Sequence, residues 1–220
     1  MPSLEMATNV VQVRCASGTI QLSSLADMIA LKGSGKDSNN NEFELPFVNQ
    51  KRRARVRVID YYPKALEDFS YFVETYENDT QNSIESDWQP HYEWDFFLRL
   101  EDAPEHVVRG VDRATMWVHV TNESAQYLLK ADAVNMRPNE VDLTTEDVEP
   151  LTALEEKLFL LWGNLKEVVT AEPGQNLLLQ NPPFECCIRE FGQELDDIDR
   201  ADPNRREWIR VYEMFGVTIN

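Results

Sequence analysis

Between Arg52 and Tyr62 the chain reads RRARVRVIDYY, with apolar and cationic side chains in alternation. Successive side chains of a strand point to opposite faces, which puts Ala54, Val56 and Val58 on one face and Arg53, Arg55 and Arg57 on the other. The pattern predicts a strand with one buried and one cationic face. Pro63 cannot donate to a sheet ladder, so the strand ends near Tyr61 and Tyr62. Two further stretches repeat the alternation. WDFFLRLE places Trp94, Phe96, Leu98 and Leu100 on one side and Asp95, Phe97, Arg99 and Glu101 on the other, and TMWVHV turns Met116, Val118 and Val120 inward and Trp117 and His119 outward. Three alternating strands in succession predict a curled antiparallel sheet.

Helical signals flank these strands. Ser24 and Asp27 match a capping box, with Leu25, Met28 and Ile29 on one helix face and Leu31 beside it. Gly33-Ser34-Gly35 is expected to stop that helix and KDSNNN to form a polar connector. Before it, residues 10–14 (VVQVR) form a short strand candidate. After the second and third strands, Thr121 or Asn122 can cap a short helix reaching Leu129. Thr152 and Glu155 form another capping box that opens LEEKLFLLWGNLKEVV, in which Leu154, Leu158, Leu161, Trp162 and Leu165 repeat at helical spacing while Phe159 and Leu160 widen the apolar surface. FECCIREF alternates as a late strand, and WIRVYEMFGVTI closes the chain as either helix or strand. Residues 74–89 are polar and are expected to form a long loop.

Strands, a helix, then further strands, with no glycine-rich phosphate loop, predict an α+β fold: a β-barrel with helices, specifically a five-stranded OB-like Greek-key barrel with appended helices. The expected division is an N-terminal strand and helix extension over residues 1–50 that packs on the barrel, and an OB-fold domain over 51–220 with a long helix near 152–169. Such barrels serve nucleic-acid and protein partners alike, so function has to be read from the surface.

Composition narrows the classes. With 220 residues, 42% of them hydrophobic, the chain can form a packed, soluble core. No apolar run approaches the roughly 20 residues of a bilayer span, and MPSLEMATN lacks the layout of a signal peptide, so no membrane association is expected. Cys15, Cys186 and Cys187 are odd in number and lack the CxxC spacing of zinc sites; they fit a reducing compartment. In an alternating strand, one of the adjacent pair is expected to be buried and the other to face out. His91, His106 and His119 have no metal-ligand spacing, and no nucleophile-elbow or P-loop motif occurs. No metal, no cofactor and no enzymatic activity are expected. The net charge of -18 opposes phosphate-driven binding to nucleic acid. Its acids cluster at Glu140 to Glu156 and at Glu194 to Asp199, as solvated faces or as attractors of a basic partner.

Particular strings add a resemblance. RVRVIDYYPKALEDF, YEWDFFLRLEDA, LEEKLFLLWGNL, CIREFG and W-x-R-x-x-x-M-F-G-x-x-I resemble, in the same order, the C-terminal region of fungal protection-of-telomeres proteins. The resemblance runs from about Val10 to Ile219, and LFLLWGNL with CIREFG is its most specific part. It implies a C-terminal OB barrel that docks a telomere end-protection protein onto the shelterin bridging subunit in the nucleus, at the telomeric region of chromosomes. Telomeric single-stranded DNA would then be held by other domains of the full protein. Animal relatives carry an inserted resolvase-like domain and paired cysteines suited to zinc, neither of which this sequence has room or spacing for.

Two surfaces compete for the functional role. Protein interfaces are anchored by a few buried aromatic or apolar residues. Phe159, Trp162 and Leu165 are the candidates on the greasy helix, with Trp208, Tyr212 and Phe215 as a second set. On this reading, replacing Trp162 with alanine abolishes partner binding and spares thermal stability. The alternative is an OB fold that itself binds single-stranded telomeric DNA, through a basic groove with aromatic stacking platforms. Arg53, Arg55, Arg57, Tyr61, Tyr62, Arg99, Trp117 and His119 are its candidates, although the arginines serve equally to pair with carboxylates on neighbouring strands.

Overall fold

The computed structural model of the chain describes residues 13–16, 18–36, 39–74, 91–103, 113–137, 149–172, 175, 177–194 and 208–219. The elements are, in order, β1 (Val13–Cys15), α1 (Leu25–Ala30), β2 (Gly33–Lys36), β3 (Glu42–Leu45), β4 (Gln50–Tyr62), a 3-10 turn at Leu66–Phe69 and β5 (Ser70–Val73). There follow β6 (His91–Asp102), β7 (Thr115–Thr121), α2 (Asn122–Leu129), α3 (Glu149–Trp162), α4 (Leu165–Thr170), β8 (Phe184–Glu194), β9 (Trp208–Phe215) and β10 (Val217–Ile219).

The alternating arginine segment becomes β4, with Ala54, Val56 and Val58 fully buried. This strand is long enough to serve two neighbours: residues 50–56 pair antiparallel with β8 and residues 56–62 pair antiparallel with β6. A register shift between Val58 and Asp60 adds a residue, which bends the strand and resets its alternation. Tyr61 therefore points inward, 1% exposed, while Tyr62 points out. β6 pairs antiparallel with β7, β7 meets β9 in parallel at His119 and Glu213, and β9 runs antiparallel to β8. These pairings close a ring, β4-β6-β7-β9-β8-β4. Five strands with the third and fifth parallel, and helices between the third and fourth, make the OB Greek-key barrel expected from the sequence. β5 adds an edge to β6, outside the ring.

The inward faces follow the alternation. Trp94, Phe96, Leu98, Leu100, Met116, Val118, Val120, Ile188 and Met214 line the interior. One end is closed by α3, through a series of aromatic contacts. Trp162 stacks on Tyr61 at 4.8 Å and 15°, Phe69 meets Trp162 edge-on at 6.5 Å, and Phe69 stacks on Phe96 at 4.4 Å.

Residues before β4 are pinned to the barrel by polar groups. The expected capping box is present, Ser24 Oγ accepting from Asp27 N and the Asp27 carboxylate accepting from Ser24 N. The Asp102 carboxylate at the end of β6 accepts from Leu25 N at 2.8 Å and Ala26 N at 3.3 Å in the first turn of α1. Burial lifts the Asp102 carboxyl above its ordinary pKa, against the lowering effect of those two amides. Arg210 on β9 donates to the carbonyls of Pro46 at 2.6 Å, Ile29 at 2.8 Å and Leu31, and pairs with the buried Glu190 carboxylate at 3.1 Å. Glu190 also accepts from Val48 N at 2.9 Å and Gln50 Nε2 at 2.6 Å. β1 pairs with β10.

Several expectations change. Gly33-Ser34-Gly35 does more than stop a helix: it is strand β2, in a hairpin with β3, and Gly33 sits where a Cβ would overlap the Phe47 carbonyl. The long helix begins at Glu149, which places Thr152 inside it, and it breaks at Gly163. Gly163 adopts a φ of +60°, and a Cβ there would collide with the Gln180 carbonyl of the crossing segment. The closing segment is strand, not helix, interrupted by Gly216 at φ +58°. Cys15 and Cys187 form a disulfide, with Cα atoms 6.0 Å apart, so the cysteines are not all free thiols. Cys186 and Cys187 are both buried, because β1 covers the outer face that Cys187 would otherwise present. The polar stretch 74–89, apart from Glu74, and most of both acidic clusters fall outside the described residues. Among the described residues, no helix is long and apolar enough to cross a membrane.

Candidate functional site

A helix turns by about 100° per residue. On α3, the buried Leu154, Leu158, Leu161 and Trp162 therefore fall within one arc of about 100°, which is the width of a core-facing stripe. Phe159 and Leu160 lie beyond that arc and stay 56% and 37% exposed. The six predicted docking residues thus separate. Trp162 and Leu165 belong to the core at 2% and 1% exposure: Trp162 is part of the stripe with which α3 plugs this end of the barrel, and Leu165 is buried at the start of α4. Phe159 is on the surface. It borders a cleft of about 500 Å³ together with Leu66, Leu160, the edge of Trp162 and the side chains of Glu155, Glu156, Lys166 and Glu167. Lys166 pairs with Glu155.

Beyond α3, Asn164 holds the crossing segment in place. Its Oδ1 accepts from Gln180 N at 2.6 Å and its Nδ2 donates to the Leu178 carbonyl at 3.0 Å. Leu177 and Leu178 on that segment are 45% and 81% exposed. The second predicted set lies apart on β9. Trp208 packs its ring against Phe47 at 5.6 Å and is 37% exposed; Tyr212 is half-buried, with its hydroxyl accepting from Arg210 Nη1 at 3.1 Å. Burial is the main cause that raises the Tyr212 pKa, and Arg210 opposes it. Phe215, an odd number of residues along the strand, faces the other side of the sheet, half-buried, with Lys51 Nζ 5.3 Å from its ring centre. No β9 residue lines the cleft beside Phe159.

The arginine and aromatic candidates gather on the outer face of β4, β6 and β7. Tyr62 is opposite Phe97 and Phe97 is opposite His119, whose ring stacks on it at 4.5 Å and 13°. In the next row Arg99 is opposite Trp117, which is 42% exposed, and Arg99 Nη2 donates to Thr115 Oγ1 at 3.2 Å. His119 hydrogen-bonds to Asp95. Arg53, Arg55 and Arg57 are half-buried; Arg53 pairs with Glu185 at 3.4 Å, and the Nε atoms of all three are buried without a hydrogen-bond partner. Tyr61 leaves this set, since the bulge at residue 59 turns it into the core. Phe97 joins it. Its outward place was legible in the alternation, but its stacking on His119 depends on strand register, which one sequence does not reveal. Leu66 and Glu167 were missed, because a cleft between a helix and a distant turn leaves no local signal, while Leu160 and Glu156 showed only as apolar surface and as part of an acidic cluster.

Two features bear on chemistry. Cys186 is sealed, and burial pushes its thiol far above the ordinary range, the opposite of a reactive thiolate. Among the described residues, no group of three or more His, Cys, Asp or Glu side chains is placed to hold a metal ion.

No family model matches the sequence. The chain is 27% identical over 150 residues to protection of telomeres protein 1 of Schizosaccharomyces pombe, a match that covers 64% of this chain and 22% of that protein. The chain therefore spans about a fifth of the length of this relative. Among solved structures, a chain in the crystal structure of fission yeast Pot1 and Tpz1 superposes with a TM-score of 0.53 at 20% identity, covering 95% of this chain and 97% of that one. A chain of yeast RPA bound to ssDNA overlaps at a TM-score of 0.41 and 12% identity, too loosely to bear on function. By sequence the chain is similar to part of a telomere-protection protein, and its fold is an OB barrel.

Proposed function

We propose that this domain, similar to part of a telomere-protection protein, is the C-terminal docking module of a telomere single-strand-binding, end-protecting protein, and that it recruits that protein to the bridging subunit of shelterin in the nucleus. The observation that carries the reading is the exposed pair Phe159 and Leu160 beside an open apolar cleft, on a helix whose other face is locked in the core. Rigid apolar anchors beside a pocket are the usual energetic centre of a protein interface. The net charge of -18 disfavours a phosphate backbone and is compatible with a polypeptide. Near full-length superposition on a chain from a Pot1 and Tpz1 structure supports the same class of partner. DNA would be held by other domains of the whole protein.

Phe159→Asp tests the reading. It introduces a charge at an exposed anchor, so pull-down of the Tpz1-like bridging subunit is expected to weaken by more than about thirtyfold, the effect of losing one hot spot. Stability should stay within about 0.5 kcal/mol of the parent, as for other surface changes. Unchanged recovery of the bridging subunit would remove this surface from the interaction.

A second reading rests on the Phe97 and His119 stack with Trp117 and Arg99, an outer-face platform of the kind on which bases stack. Filter binding of a G-rich telomeric oligonucleotide discriminates the two. The docking reading expects no retention by this domain at about 0.15 M salt. Tight, salt-sensitive retention that Trp117→Ala reduces by about tenfold would put the strand on this face instead.

A further inference from the structure

The rim of the Phe159 cleft carries more negative charge than its own cations neutralise. Of the carboxylates there, Glu155 is paired with Lys166, while Glu156 and Glu167 form no ion pair or hydrogen bond with a described residue. Lys157, on α3, is turned away to donate to the Leu129 carbonyl. Burial first, then the charges of Asp60, Glu167 and Glu155, raise the pKa of the Tyr61 phenol, which stacks on Trp162. An occupant of this site meets an apolar floor and, at its edge, two carboxylates with no cationic partner among the described residues.

We infer that the cleft takes a polypeptide segment with one large apolar side chain seated against Phe159 and Leu160 and with Lys or Arg within about one helical turn of that anchor, facing Glu156 and Glu167. The inference rests on the docking reading above and adds the chemistry of the partner. A volume of about 500 Å³ suits such an anchor. Like-charge repulsion at the rim selects against acidic flanks and against nucleic acid, because mispaired charges at an interface cost more than matched ones contribute.

The test pans the folded 220-residue chain against a displayed library of random peptides, then measures the enriched peptides by fluorescence anisotropy. Enrichment is expected for a bulky apolar residue with at least two Lys or Arg within about four positions. Binding should weaken as salt rises from about 50 to about 300 mM. Glu156→Lys with Glu167→Lys is expected to weaken the basic peptide by about tenfold at low salt and to improve binding of its Glu-substituted version. Phe159→Ala should abolish both, with melting curves unchanged. Peptides that enrich with neutral or acidic flanks yet still depend on Phe159 would sink the charge inference and leave docking intact. Peptides indifferent to Phe159→Ala, or no enrichment over an unrelated OB domain, would sink both.

Discussion

Trp162→Ala is expected to lower the unfolding free energy by about 3–5 kcal/mol, the cost of removing a large buried aromatic side chain. The indole is 2% exposed, stacks on Tyr61 at 4.8 Å and meets Phe69 edge-on, so its removal opens the joint between α3 and the barrel. Collapse into the space is hindered on both sides. Gly163 is held against the Gln180 carbonyl immediately after the tryptophan, and Tyr61 is fixed in β4 just past the bulge. For a chain of this size the loss corresponds to a fall in Tm on the order of 10 °C. Urea unfolding followed by circular dichroism measures it, with Phe159→Ala as the control expected to move by no more than about 0.5 kcal/mol. The contrast between two aromatic residues three positions apart separates a core plug from an exposed side chain. Equal, small effects of both substitutions would show that Trp162 does not close the barrel.

Arg210→Ala is expected to cost about 3–5 kcal/mol, because it strands a buried carboxylate. Glu190 is 2% exposed and keeps Val48 N and Gln50 Nε2 as donors, but loses its only cationic partner among the described residues. The same substitution frees the carbonyls of Ile29, Leu31 and Pro46. Hydrogen exchange should therefore accelerate in α1 and in residues 42–48 more than in the interior strands β6 and β7. Replacing both partners, Arg210→Met with Glu190→Met, is expected to be milder than Arg210→Ala, since an apolar pair leaves no uncompensated charge. A single substitution no worse than the double one would mean that the pair does not hold this carboxylate.

The strands were legible because burial on one face of a sheet imposes a period of two. β4, β6, β7 and β8 each show that period, and their inward residues Val56, Phe96, Val118 and Ile188 are fully or nearly fully buried. The OB connectivity followed from the order of strands and helices. The apolar helix α3 was legible only in part. LEEKLFLLWGNL is apolar over too much of its circumference for its pattern to say which side is core, and the choice between Trp162 and Phe159 fell to the position of Tyr61 and Phe69, far away in sequence. The division of the arginine face was similarly hidden, because the bulge at residue 59 moves Tyr61 inside and leaves Tyr62 out.

By itself, the sequence determined which residues alternate, that α1 opens on the Ser24–Asp27 capping box, that the chain is strongly acidic, and which telomere-protection family it resembles; these are properties of neighbouring residues and of composition. Tertiary structure alone decided which aromatics plug the barrel, where the greasy helix breaks, that Cys187 meets Cys15, and which carboxylates rim the Phe159 cleft. Each of these depends on contacts between segments distant along the chain, and local periodicity carries no information about which distant surfaces will meet.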